Sequence, residues 1–451
     1  MAFISSIDSE AFRREFYRKE IAMTLFQRIT QVRSLSRSIN AAKKILTERG
    51  EANTASMANE LMGQYQLLDE DQKLSFYHAL ATKFNPDPEH VLKLAQAYAQ
   101  DASGKNFIAL SRHTESPRQE LIRRINRVDG GIKNLVAMRR HLIKVLDKRP
   151  ELRPLDHDLH HLFVSWFNPG FLKMHRVDWK SPAHILEKII QHEAVHEIDG
   201  WDDLRRRLQP DRRCFAFFHP QLPDEPLIFV EVALVPEISA TVGPLVNKKS
   251  DSLDPAQFKV AVFYSISNCE PGLKGVSLGN FLIKRVAKYL QDEFPSLKNF
   301  VTLSPITGMM DWIIAGGDLS DAKPKPVILE KVSHAMRVLD LKSKSWPERL
   351  SLGWTPETAS PDEKSALQQL SAIYLTHLSV CRGGNQVAKF HLGNGARLHR
   401  INWGGDLSKK GLRQSAGLMV NYLYDLDKIE DNHDRFVQGE VIHSRSVAQL
   451  I

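Results

Sequence analysis

Ser267-Asn-Cys-Glu-Pro-Gly-Leu-Lys-Gly-Val-Ser-Leu-Gly279 is the stretch on which the fold of this chain turns. In front of it stands Val260-Ala-Val-Phe-Tyr-Ser-Ile266, a β-branched and aromatic run that reads as a strand. Behind it, Leu278, Phe281, Leu282, Val286, Tyr289 and Leu290 recur at helical spacing, so an amphipathic helix is expected from about Ser277 to Glu293. Gly272, Gly275 and Gly279 let the intervening backbone turn sharply. N–H groups are then left at a helix start, where the partial positive charge favours a phosphate. The spacing fits neither the Gly-x-x-x-x-Gly-Lys phosphate loop nor the Gly-x-Gly-x-x-Gly dinucleotide turn. A plain turn is the competing reading of the same glycines.

Outward from this turn the text stays mixed. Cys214-Phe-Ala-Phe-Phe218 and Leu227-Ile-Phe-Val-Glu-Val-Ala-Leu234 read as strands of the same sheet as 260–266, and Asn299-Phe-Val-Thr-Leu303 as another. Ser181-Pro182 opens a short helix with Ile185, Leu186, Ile189 and Ile190 on its apolar face. Helices are expected at Pro326 to Val338, at Pro361 to Leu378 behind a Ser360 cap, and near Arg413 to Asp425, with mixed text over Val387 to Trp403. From about Ser9 to Pro154 the pattern is helical throughout, with breaks at Gly50, Asn85-Pro-Asp-Pro88 and Gly130-Gly131. The expected fold class is α+β. A helical assembly domain over 1–154 precedes a mixed-sheet domain over 155–451.

With 42% hydrophobic and 25% charged residues in 451, the composition is that of a soluble globular chain. No signal peptide and no run of about 18 apolar residues is legible, so a cytoplasmic protein that enters no membrane is expected. Cys214, Cys269 and Cys381 form neither a CxxC pair nor a disulfide framework. A net charge of +8 favours a polyanionic partner. Nucleic acid is not that partner, because the basic residues are dispersed among acids, as in Trp201-Asp-Asp-Leu-Arg-Arg-Arg-Leu208.

Three strings could carry chemistry. His192-Glu-Ala-Val-His196 has the spacing that binds zinc on a continuous helix. The apolar face of the preceding helix is already spent, however, and Gly200 follows closely, so a helix end or a strand start with incidental histidines is the better reading and no metal is expected. Ser304, in Thr302-Leu-Ser-Pro-Ile-Thr-Gly308, stands at a strand end; residue types alone favour a turn serine capping a helix around Met309 to Ala315. His391 precedes the tight turn Gly393-Asn-Gly395, and imidazole is the side chain best suited to move a proton near neutral pH. Among 18 histidines its position alone does not single it out.

Leu273-Lys-Gly-Val-Ser-Leu-Gly279 loosely resembles the pyrophosphate-binding turn of the GNAT (N-acetyltransferase) superfamily, with Ser277 where that pattern has Gly or Ala. Several longer strings in order resemble the malonyl-CoA decarboxylase family: His192–His196, Phe218-His-Pro220, Phe263-Tyr-Ser-Ile-Ser267, Gly279-Asn-Phe-Leu-Ile-Lys-Arg-Val286, Leu303-Ser-Pro-Ile306, Phe390-His-Leu-Gly-Asn-Gly-Ala396, Arg400-Ile-Asn-Trp403 and Gly417-Leu-Met-Val-Asn-Tyr422. The resemblance implies a helical assembly domain, an acetyltransferase-like catalytic domain, and a homo-oligomer, with a tetramer as the expected size. It implies Ser304 and His391 as the catalytic pair, with Tyr424 and Ser265 also in the active site. Gly272, Leu273, Lys274, Gly275, Val276, Ser277 and Gly279 are then the CoA-binding candidates, joined by Tyr264 and Ser267. Ser277 replaces a glutamate that some members carry, so a mechanism needing that carboxylate is in doubt here.

The implied reaction converts malonyl-CoA to acetyl-CoA and carbon dioxide. The thioester is its own electron sink, so no biotin, pyridoxal phosphate or metal is called for. The protein must stabilise an enolate oxygen and deliver one proton. An acyl-CoA-dependent N-acyltransferase on the same fold is the alternative.

Overall fold

The computed structural model describes residues 33–279, 282–341 and 343–451. Residues as far as Phe167, together with Glu270–Val276, make one compact unit; Asn168–Cys269 with Ser277–Ile451 make a second. The part of the helical expectation covering residues 9–32 lies outside the described residues.

The first unit is helical, from a helix over 33–47 to Gly131–Val145 and Arg153–Trp166. Local signals set its boundaries. Asp69 accepts from the N–H of Gln72 at 2.9 Å while the Gln72 side chain takes the N–H of Asp69 at 2.9 Å, and prolines 88 and 117 open the first turns of their helices. Phe76, Tyr77, Leu121, Leu135, Leu142, Leu159 and Phe163 form its buried interior. Two helices depart from this pattern: Pro88–Gln100 and Gly104–Thr114 pair with each other yet bury no residue, and Leu92, Phe107 and Ile108 are 59%, 54% and 52% exposed.

The second unit is a curled mixed sheet with helices on both faces. Its strands are β1 (Lys173–Val177), β2 (Arg212–His219), β3 (Leu222–Val235), β4 (Val260–Asn268), β5 (Asn299–Thr302), β6 (Ser304–Pro305), β7 (Arg397–Asn402) and β8 (Met419–Tyr424), in the order β1-β2-β3-β4-β5-β8-β6 with β7 on β8. Every pair is antiparallel except β4 with β5, which are parallel over Val260–Phe263 and Asn299–Thr302. Beyond Phe263, β4 continues beside β3 to Asn268, while the chain after β5 crosses to β8. The two parallel strands therefore part at their C-terminal ends, the usual location of a ligand site in such sheets. Ile185, Leu186 and Ile189 of the Ala183–His192 helix pack on Cys214, Ala216 and Phe229. Phe215 and Phe217 alternate with those residues and meet Tyr289 and Arg285 of the Leu282–Glu293 helix on the opposite face.

Three local expectations are corrected. Ser277–Gly279 is not helical, and the helix is described from Leu282; Tyr289, expected on its buried side, is 39% exposed. The helix expected over Arg413 to Asp425 is a short one, Lys409–Ser415, followed by β8. Ala416 at φ 50° and Gly417 at φ 75° break it, and Met-Val-Asn-Tyr-Leu-Tyr is then buried on both sides, as a central strand requires. β1 (Lys173–Val177), for which the sequence raised no expectation of a strand, pairs with β2.

Candidate active site

Separate elements deliver polar side chains to one point in the second unit. β6 pairs Ser304 with Val420 of β8. The Gln386–Gly393 helix starts at Asn385, whose side chain accepts from the N–H of Ala388 at 2.7 Å, and it carries His391 in its last turn. Tyr422 and Tyr424 lie two apart in β8 and so share a face.

Ser304 Oγ lies 3.1 Å from His391 Nε2 and donates to Thr302 Oγ1 at 3.0 Å; Tyr424 Oη lies 2.9 Å from His391 Nδ1. With the serine proton on Thr302, the network assigns the tautomer: Nε2–H donates to Ser304, and Nδ1 accepts from Tyr424. The Tyr422 ring stacks on the imidazole at 4.6 Å between centroids. Ser304, His391 and Tyr424 are all buried. Burial pushes the His391 pKa down to about 3, so the ring is neutral near pH 7, and burial pushes the Tyr424 phenol well up. The site thus holds a neutral imidazole whose Nδ1 is hydrogen-bonded to a protonated phenol. Ser304 caps no helix, since Met309–Ile314 starts at Gly308 without a side-chain cap.

Ser265 does not join this chain of bonds. A register shift around Tyr264 pairs Ser265 with Glu231 of β3. Tyr424 pairs with Phe300, Phe300 with Ala261, and Ala261 with Leu234, an odd number of places from Glu231 and hence on the other face. There Ser265 Oγ donates to the Glu193 carboxylate at 2.7 Å, Ser267 Oγ reaches the same group at 3.2 Å, and Ser267 accepts from the N–H of Ala194 at 3.1 Å. Glu193 also takes the N–H groups of Val195 and His196, each at 2.8 Å. The structure thus brings neither Ser265 nor Ser267 to the serine–histidine–tyrosine chain: both hydroxyls pin this loop to β4. Tyr264 is likewise interior, 2% exposed among Ala233, Val262 and Val301.

The His192–His196 string does not lie on one helix. Ala183–His192 ends there, and Glu193 turns extended to cap it. Among the described residues no group of His, Cys, Asp or Glu is arranged to hold a metal ion. A cavity of about 620 Å³ bordered by His196, Arg207, Asp406 and Lys410 touches none of Ser304, His391 and Tyr424.

In the glycine-rich segment, Pro271–Leu273 makes a 3-10 turn, with Leu273 and Gly272 buried. Lys274, Gly275 and Ser277 are exposed, Val276 is half-buried, and Leu278 and Gly279 are buried. Gly275 sits at φ 85°, where a side chain is strained. At Gly279 a Cβ would stand 2.2 Å from Cε2 of Phe390, whose ring in turn lies edge-on to His391 at 5.1 Å.

Thr302, Glu193 and Tyr422 were not singled out for these roles from sequence. The spacing of Thr302 and Ser304, one residue apart in an extended run and thus on one face, was the available signal for the first.

A mixed sheet whose parallel pair parts beside a buried serine, histidine and tyrosine defines an α+β fold with a polar cluster at the strand ends. The C-terminal and N-terminal domain models of malonyl-CoA decarboxylase match residues 170–451 and 84–167. The chain belongs to the malonyl-CoA decarboxylase family. It is 38% identical over 339 residues to the mitochondrial malonyl-CoA decarboxylase of the goose Anser anser anser, spanning 71% of this chain and 66%, just under two thirds, of that protein. Against the rat protein, Rattus norvegicus, the identity is 38% over 346 residues, spanning 73% and 70%. The solved malonyl-CoA decarboxylase of Rhodopseudomonas palustris superposes with a TM-score of 0.80 at 42% identity, covering 92% of this chain and 99% of that one.

Proposed function

We propose that this chain catalyses decarboxylation of malonyl-CoA to acetyl-CoA, with Ser304, His391 and Tyr424 as its working side chains. Membership of the family supports the reaction; the observation that carries the assignment of residues is the bond chain from Thr302 through Ser304 and His391 to Tyr424. The bond between C2 and the carboxylate breaks, carbon dioxide leaves, and the electron pair passes into the thioester enolate. With substrate bound, the Ser304 hydroxyl turns from Thr302 to donate to the malonyl carboxylate or the thioester oxygen. One such donor contributes about 2.7 to 4 kcal/mol when aimed at the developing charge. His391 gives the Nε2 proton to C2 as Nδ1 takes one from Tyr424, so the ring is neutral before and after the transfer and the negative charge released from the enolate passes to the phenol oxygen. A proton from water restores the phenol. The Gly272–Gly279 turn offers its N–H groups to the CoA diphosphate.

Incubation with malonyl-CoA and no amine tests the reading. Acetyl-CoA and carbon dioxide in equal amounts are expected, whereas an N-acyltransferase leaves malonyl-CoA unchanged until an acceptor amine is added. Assembly into a homo-oligomer, with a tetramer as the expected size, is part of the proposal, and the Pro88–Gln100 and Gly104–Thr114 helices, with no buried residue between them, support it. A cytoplasmic location rests on the sequence reading. Among the described residues no helix is long and apolar enough to cross a membrane.

A further inference from the structure

Arg139, on the Gly131–Val145 helix, is 3% exposed and directs its Nη1 to two carbonyls of the glycine-rich segment. Its Nη1 donates to the carbonyl oxygen of Gly272 at 2.9 Å and to that of Lys274 at 3.0 Å, while Nε donates to Asp156 Oδ1 at 2.8 Å. Arg140 forks onto Glu270, Nε to Oε1 at 2.9 Å and Nη2 to Oε2 at 2.6 Å, and the same Oε1 accepts from the N–H of Gly272 at 2.8 Å. All of these residues belong to one compact unit.

Stapling a turn to a helix does not need an arginine. Apolar side chains would do so without desolvating a charge, and a buried ion pair is weak evidence of stabilisation. What the planar guanidinium adds is direction, because its donors fix two carbonyls at defined angles. In a trans peptide the C=O and N–H point opposite ways. Holding the Lys274 carbonyl toward Arg139 therefore turns the N–H of Gly275 away from it, at an exposed residue. Within this unit the N–H of Gly275 makes no hydrogen bond, while those of Leu273, Lys274 and Val276 are used inside the turn. The carbonyls are thus taken up on one side and the Gly275 amide donor is left for an anion.

We propose that Arg139 is a positioning residue for the CoA diphosphate, setting the direction of the turn's N–H groups without touching substrate; this rests on the reading of the turn as the diphosphate site. The full chain carrying Arg139→Gln, and separately Arg139→Lys, is assayed on malonyl-CoA and on malonyl-pantetheine, which lacks the diphosphate. Arg139→Gln is expected to raise KM for malonyl-CoA about tenfold with kcat within about twofold, to leave kcat/KM for malonyl-pantetheine within about twofold, and Arg139→Lys to fall between. An unchanged KM for malonyl-CoA overturns the proposal. So do equal losses on both substrates in the two variants, which would mark a role in folding only. Gly275→Val separates the premise from the proposal: if it raises KM for malonyl-CoA and Arg139→Gln does not, only the role of Arg139 falls. If Gly275→Val leaves that KM unchanged, the diphosphate reading of the turn itself falls.

Discussion

Replacing His391 with glutamine removes a ring whose charge state is set by the fold, and the effect can be read without substrate. His391 is 3% exposed, and burial holds its pKa at about 3, against about 6.5 in an unfolded chain. The folded value lies below the unfolded one, so between them the unfolded chain binds a proton that the native state refuses. Stability is therefore lost as pH falls below the unfolded value, and the loss levels off near the folded one. From about pH 7 to about pH 5 the loss from this ring alone is about 2 kcal/mol. Urea unfolding of the wild type and of His391→Gln at both pH values measures it. The wild type is expected to lose about 2 kcal/mol more than the variant over that interval. Equal losses would mean that the folded protein takes up this proton as readily as the unfolded chain, and the lowering of the imidazole pKa by burial would be refuted.

Further expectations concern single contacts. Ser304→Ala should lower kcat on malonyl-CoA by about 10²- to 10³-fold in steady-state assays, with KM little changed. Tyr424→Phe removes the hydroxyl 2.9 Å from His391 Nδ1, and a loss of about 1–3 kcal/mol predicts a kcat lower by roughly 5- to 150-fold; an unchanged kcat excludes the phenol from the relay. Glu193→Gln should cost about 1–3 kcal/mol in denaturant unfolding, because the carboxylate gathers two serine hydroxyls and two main-chain N–H groups. Leu92→Glu combined with Phe107→Glu should reduce the particle size seen by sedimentation if the exposed helix pair is an assembly surface.

The strands beside the glycine turn were legible because they are short, β-branched and bounded by turn residues, and β2, β3, β4 and β5 fall on those runs. β8 was misread, since a strand buried on both faces shows no alternation and Met-Val-Asn-Tyr-Leu-Tyr scans equally as a helix face. The pairing of Ser304 with His391 came from family resemblance alone. The residues are far apart in sequence, and no local pattern encodes a contact made by β6, β8 and the Gln386–Gly393 helix together. The separation of Ser265 from that contact was illegible for a related reason: the register shift at Tyr264 decides which face its hydroxyl meets, and a one-residue slip has no signature in composition.

The crowding at position 279 binds two tasks together. Only a hydrogen atom fits between that α-carbon and the ring of Phe390, whose neighbour in the chain is the imidazole itself. Under the proposed function, a side chain added there would push the Phe390 ring and through it the imidazole, so substitution at 279 is expected to disturb turnover together with malonyl-CoA affinity.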